Sequence, residues 1–307
     1  GNVRVQTGLM TVGGNFNIVG AVGSTFEVAN GTIFEMRSTS GAGSGAFPSG
    51  FGTVSLGATS TVAYNQTGNT NPWPVATHTY GHLIIGQSTS IRNFQLANAT
   101  TNVAGNLTVG NGTSTPDFIA TGAATLNVTG DVTINALAIL DATSITNFNV
   151  GGNWTNDGAF TESTNTVTFN SPAANVLQTI GGSVSETFSN LAINTSAATD
   201  IVRILNNTAV TNNLVLTQGG LELNQQTLSV ANSATTAISR TNGYVRSENI
   251  AAPYGTLRWF IDNTTGAHLY PFGVSSAQYI PFTMDVTVAG SKGVGSGYVP
   301  VSTYATA

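Results

Sequence analysis

The feature that most constrains this chain is a short motif that returns at near-constant spacing. Gly81-His82-Leu83-Ile84-Ile85, Gly105-Asn106-Leu107-Thr108-Val109, Gly130-Asp131-Val132-Thr133-Ile134 and Gly152-Asn153-Trp154-Thr155 begin 24, 25 and 22 residues apart. Gly14-Asn15-Phe16-Asn17-Ile18 is an earlier copy, and Ser189-Asn190-Leu191-Ala192-Ile193 and Asn212-Asn213-Leu214-Val215-Leu216 are later ones, 23 apart. Each copy sets a small or polar pair ahead of an apolar residue, which in all but the Gly152 copy is followed by another two positions on, and this alternation marks a half-buried strand. Leu126-Asn127-Val128 and Phe148-Asn149-Val150 repeat the pattern between copies. A period in the low twenties is what one coil of a parallel β-helix consumes, because three short strands and three turns return the chain to a point one strand spacing above its start. The expected fold is therefore all-β, a right-handed parallel β-helix (β-solenoid).

A longer period overlies the first. Ser60-Thr61-Val62-Ala63-Tyr64-Asn65 matches Asn165-Thr166-Val167-Thr168-Phe169-Asn170 at an offset of 105, and the Gly105 and Asn212 motifs match at 107. This offset predicts an internal duplication, about 60–160 and 165–239, within a solenoid over 1–239. After Ser239 the texture changes: Tyr244, Tyr254, Trp259, Phe260, Tyr270, Phe272, Tyr279 and Phe282 crowd together. Leu257–Ile261 and Tyr279–Val288 read as strands separated by Pro271 and Gly273. Residues 240–307 are expected to form a small β-sandwich-like domain, or part of one, capping the last coil against unpaired strand edges. Gly1-Asn2-Val3-Arg4 shows no basic-then-apolar leader, so the expectation is either a signal already removed or a piece of a longer chain, and Val301-Ser302-Thr303-Tyr304-Ala305, which still reads as strand, favours a piece.

Composition agrees with a stacked fold. Charged residues are 7% of 307, against roughly 25% in an average soluble domain, and identical charges stacked one strand spacing apart repel. Thr, Ser and Asn keep the outer faces polar without charge, and Gly and Asn suit sharp corners because they tolerate left-handed backbone values. Eight basic residues and a net charge of −5 leave no footprint for nucleic acid. The chain has no cysteine, which excludes thiolate zinc sites and disulfides. No apolar run reaches the roughly 18 residues of a membrane helix.

One stretch resembles a known group. Thr187-Phe188-Ser189-Asn190-Leu191-Ala192-Ile193-Asn194, then Asn212 to Leu223, then Gln226-Thr227-Leu228-Ser229-Val230, resembles the repeat of large secreted, adhesin-like surface proteins of Bacteroidota associated with type IX secretion. Gly243-Tyr244-Val245, Tyr270-Pro271-Phe272-Gly273 and Tyr279-Ile280-Pro281 are similar to the segment that follows those repeats. The resemblance covers residues 160–305 well and the earlier part loosely. It implies an extracellular or cell-surface protein serving adhesion, gliding or extracellular structure.

Candidate chemistry is sparse. Parallel β-helices also carry polysaccharide lyases and hydrolases, which need paired carboxylates. Asp117 and Asp141, 24 apart, have the spacing to stack on successive coils, although solitary turn residues are the plainer reading. His78 and His82 sit four apart, as metal ligands on a helix would, but in strand territory with no third ligand near in sequence. His268 stands alone. Arg246, Glu248, Arg258 and Asp262 read as a balanced structural ion-pair cluster. Trp73, in Asn71-Pro72-Trp73-Pro74, either stacks on a sugar ring or folds back over a coil. Gly41-Ala42-Gly43-Ser44-Gly45 lacks the lysine of a phosphate loop and reads as a turn. Asn65, Asn106, Asn153 and Asn263 begin Asn-x-Thr triplets of the kind chance supplies in an Asn- and Thr-rich chain.

No catalytic, cofactor-binding or metal residue is therefore assigned. The expected function is a non-enzymatic extracellular structural or adhesin protein, a segment of a cell-surface filament, stalk or fibre that self-associates. The alternative is a carbohydrate-binding or polysaccharide-degrading β-helix, whose partner would be a glycan.

Overall fold

The computed structural model describes residues 1–14, 16–39, 46–67, 72–86, 93–113, 115–120, 122, 124–248, 253–288 and 297–303. Among these residues there are strands and no helix, and the strands stack in parallel as a β-solenoid. Two units divide the chain: Gly1–Phe148 with Asn156–Ser163, and Asn149–Thr155 with Thr164–Ala307.

In the first unit, Asn93–Leu96, Thr100–Val103 and Leu107–Val109 make one three-sided coil, and Asp117–Ala120, Ala124–Val128 and Val132–Ile134 make the next. Each strand pairs in parallel and in register with its counterpart. Alternation turns every second side chain inward, so the inner residues form columns: Leu83, Leu107 and Val132 in one, Ile85, Val109 and Ile134 beside it, all fully buried. A second face stacks Trp73, Phe94, Phe118 and Leu140. Burying each such side chain contributes about 1.5–3 kcal/mol. Pro74 is accommodated because Trp73–Val75 is the edge strand of its sheet and needs no amide donor on its outer side.

The recurring motif has a physical reason that is not turn conformation. Gly81, Gly105 and Gly130 stack at one corner, and none of the three has a left-handed φ. A Cβ on Gly81 would lie 2.4 Å from the carbonyl oxygens of both Gly57 and Ser60, one on Gly105 2.9 Å from Gly81 O, and one on Gly130 2.7 Å from Gly105 O. Only glycine lets the coils close to this distance. The polar residues after Gly81 and Gly105 then each accept an amide from the following coil. His82 Nδ1 accepts the Asn106 N–H at 3.0 Å, and Asn106 Oδ1 accepts the Asp131 N–H at 3.0 Å.

The second unit builds its coils differently. Glu186–Asn194 and Thr208–Gln218 are long strands that turn a corner without breaking, with a register shift between Phe188 and Asn190. The first half of Thr208–Gln218 pairs with Thr227–Val230 and the second with Ile238–Arg240. Inward columns are Val167, Leu191, Leu214 and Ile238, and Phe188, Val210, Val230 and Trp259. Outside, Asn190 Oδ1 accepts from Nδ2 of Asn212 and Asn213 at 2.9 and 3.0 Å, and Asn232 Nδ2 donates to Asn212 Oδ1 at 3.1 Å.

Several expectations need correction. Phe16-Asn17-Ile18 is not a strand, and Phe16 is 75% exposed. The motif does not mark one face throughout: in the second unit Trp154 pairs with Ile180, whereas Leu191 pairs with Leu214 in a different sheet. The boundary expected at 239 falls inside a coil, since Tyr244–Arg246 and Thr256–Phe260 still pair in parallel with Gly220–Glu222 and Thr227–Val230. Beyond Phe260 the pairing turns antiparallel, with Tyr298–Val301 on Thr256–Phe260 and a hairpin of Gly266–Tyr270 and Phe282–Val286. The strand read into 279–288 is confined to Phe282–Val286, and the last one ends at Val301, with Tyr304 and Ala305 outside the described residues.

Gly81→Ala is expected to destabilise the protein by on the order of 2 kcal/mol or more, because rigid backbone atoms meet the new methyl. Gly13→Ala, whose Cβ would find its nearest neighbour at 3.8 Å, is the near-neutral control, and urea midpoints compare them. A second expectation concerns His78, whose ring lies 4.7 Å from Phe47 and 6.3 Å from Tyr80. Burial holds its pKa below the usual 6.5. The unfolded chain therefore binds the proton more readily, so stability falls as pH drops through 6.5 and levels off below the folded pKa. His78→Phe should flatten that slope in urea unfolding between about pH 8 and about pH 5.

Candidate functional site

In the second unit, Phe188, Val210, Val230 and Trp259 point inward, so the residues before them point out. Those residues form one in-register row across four coils: Thr187, Ala209, Ser229 and Arg258. Ala209 and Ser229 are small, while Thr187 and Arg258 stand taller on either side, and the row is concave as a result. Ser185, Asn207 and Thr227 form one flank, and the buried Glu186 and Thr208 close the base. The cleft holds about 260 Å³, near the small end of ligand clefts.

Its two ends differ in charge. Glu186 is 5% exposed, an unusual position for a carboxylate. Its Oε2 accepts the Trp154 indole N–H at 2.6 Å and its Oε1 accepts the Thr187 N–H at 3.2 Å. Trp154 is held edge-on against Phe188, with ring centroids 5.7 Å apart. At the other end the Arg258 guanidinium lies 3.9 Å from the centre of the Tyr298 ring, and Tyr298 packs on Phe260 at 5.0 Å. Arg258 is exposed and has no ion-pair partner among the described residues, so the aromatic ring fixes its place without neutralising it. Asn207 Oδ1 accepts the Thr227 N–H at 2.9 Å, which leaves its amide group as a donor at the rim. The wall is thus a set of hydroxyls, one amide and one cation, with the Glu186 carboxylate turned into the core behind it.

Residues singled out from the sequence fall elsewhere. Asp117 and Asp141 lie on one outer face of the first unit but out of register, since Asp117 pairs with Ile139. Burial, and secondarily the charge of Asp141, raises the Asp117 pKa, and one Asp117 oxygen is buried without a hydrogen bond. Asp141 accepts the Thr143 N–H at 2.9 Å, the turn role expected of it. His78 and His82 have separate partners, Phe47 and the Asn106 amide. His268 is buried, 4.9 Å from Trp259, with its ring nitrogens 3.1 and 3.2 Å from the carbonyls of Gly266 and Ser233. No group of three His, Asp or Glu residues suited to a metal occurs among the described residues.

Trp73 is 1% exposed and belongs to the aromatic column, so it offers no platform to a sugar. The expected cluster of Arg246, Glu248, Arg258 and Asp262 does not assemble. Arg246 lies in register with Glu222, which pairs with Arg203 at 3.1 Å, while Arg258 goes to Tyr298. Asn65 and Asn153 are committed to coil contacts, with Glu35 and Thr179 respectively. The Gly41–Gly45 turn and Asn71 lie outside the described residues.

The cleft itself is missed by motif reading, because its members are scattered from 185 to 258. One signal was present: in Glu186-Thr187-Phe188 the alternation that buries Phe188 also turns Glu186 inward. Compared with known protein families, curated proteins and solved structures, the chain matches none. Replacing Trp154 with Phe removes the donor to a buried carboxylate and is expected to cost about 1–3 kcal/mol. Glu186→Leu in the same background should recover part of it, measured by urea unfolding.

Proposed function

We propose that the chain is a non-enzymatic, extracellular solenoid segment of a cell-surface stalk, filament or adhesin, of the kind the resemblance to secreted Bacteroidota surface proteins implies. The observation that carries this reading is that side chains as well as backbone bond coil to coil. Asn190, Asn212 and Asn232 form an amide ladder in the second unit, and His82 and Asn106 receive main-chain amides in the first. Such bonding favours a coherent scaffold over a mobile catalytic centre. The outer faces, rich in Thr, Ser and Asn and poor in charge, support a role outside the cell, where lateral contact between like surfaces meets little repulsion.

Self-association is part of the proposal. Sedimentation across a concentration series, with negative-stain microscopy of the same samples, should show ordered linear or lateral assemblies growing with concentration. Isolated monomers up to the solubility limit would overturn the self-association.

A further inference from the structure

We propose that the cleft running from Glu186 to Arg258 binds a small acidic saccharide, one or two rings bearing a carboxylate. The inference rests on the surface role just proposed and names the ligand class that an adhesive solenoid of this construction would hold. Three features select that class. The walls offer Ser185, Thr187, Thr227 and Ser229 hydroxyls and the Asn207 amide, groups that pair with a ligand dense in hydroxyls. Among the described residues no apolar side chain apart from the Ala209 methyl lines the cleft, so a hydrophobic ligand gains nothing there. Arg258 supplies one exposed, pre-positioned cation suited to a carboxylate.

Arg258 therefore gives the ligand a direction, with its carboxylate at that end and its hydroxyls along the row of Thr187 and Ser229. Glu186, Thr208, Leu228 and Leu257 are successive in-register positions, so the ends are three strand spacings apart, ~14 Å at ~4.8 Å each. A disaccharide lies within that span, whereas a long polymer would engage it through one short stretch. Tyr298 touches Arg258 and is a positioning residue.

The test is calorimetric titration of the full chain with a uronic-acid disaccharide, its neutral counterpart and inorganic phosphate. The uronate should bind, the neutral sugar should bind at least about tenfold more weakly, and phosphate should not compete at equal concentration. Arg258→Gln and, as an independent variant, Thr187→Glu should each weaken uronate binding by about tenfold or more, with thermal unfolding unchanged. Tyr298→Leu should weaken uronate but leave residual neutral-sugar binding as it was. The proposal is overturned by absence of uronate binding, by equal binding of the neutral sugar, by phosphate competing as well as the uronate, or by uronate binding that survives both cleft variants. Any of these leaves the scaffold reading intact, since that is judged by assembly.

Discussion

Everything in this molecule depends on parallel strands stacking so that each residue lies over its counterpart about one strand spacing away. The arrangement multiplies whatever a position holds. An apolar residue becomes part of a column, as Leu83, Leu107 and Val132 do, and an asparagine becomes part of a ladder, as Asn190 and Asn212 do. Like charges have no stable place in such a row. Two of the ion pairs set opposite charges over one another across coils: Arg4 lies over Glu27 at 2.9 Å, and Arg203 over Glu222 at 3.1 Å. The low charge of the chain follows from geometry before any question of function arises.

The coil was legible because stacking writes itself into the sequence as a period. The Gly-polar pair was the clearest mark, although its cause is the close approach of backbones at a corner and not a left-handed turn. Legibility failed where a local pattern was right and its tertiary partner was not. Phe16-Asn17-Ile18 alternates correctly, yet Phe16 projects into solvent. The change of texture after Ser239 is real, since aromatics do gather, but Trp259 still stacks on Val230 and its ring meets His268 and Tyr270 from the following hairpin. Aromatic crowding marked the closing of the coil and was read as the start of a new domain.

The candidate site was far less legible than the fold. A cleft on a solenoid is made by small residues as much as by functional ones, and nothing distinguishes Ala209 or Ser229 in a chain full of both types. Arg258 reads from the sequence as part of a balanced cluster with Arg246, Glu248 and Asp262, because nothing local announces an aromatic partner. Its actual neighbour, Tyr298, arrives from 40 positions later by antiparallel pairing. Trp73 taught the converse: flanking prolines made it look like an exposed loop residue, and the column of Phe94 and Phe118 claimed it instead.

The glycine corner of the first unit also governs where the fold tolerates change in length. With Gly81, Gly105 and Gly130 clamped against one another, an inserted residue on that edge would push two main chains apart along the whole pile. Length varies at the corners that follow the glycine-motif strands, with seven residues between Leu107–Val109 and Asp117–Ala120 and four between Val132–Ile134 and Ile139–Asp141. Those are the places where such a scaffold can acquire a longer loop, and with it a new surface, while the columns beneath remain undisturbed.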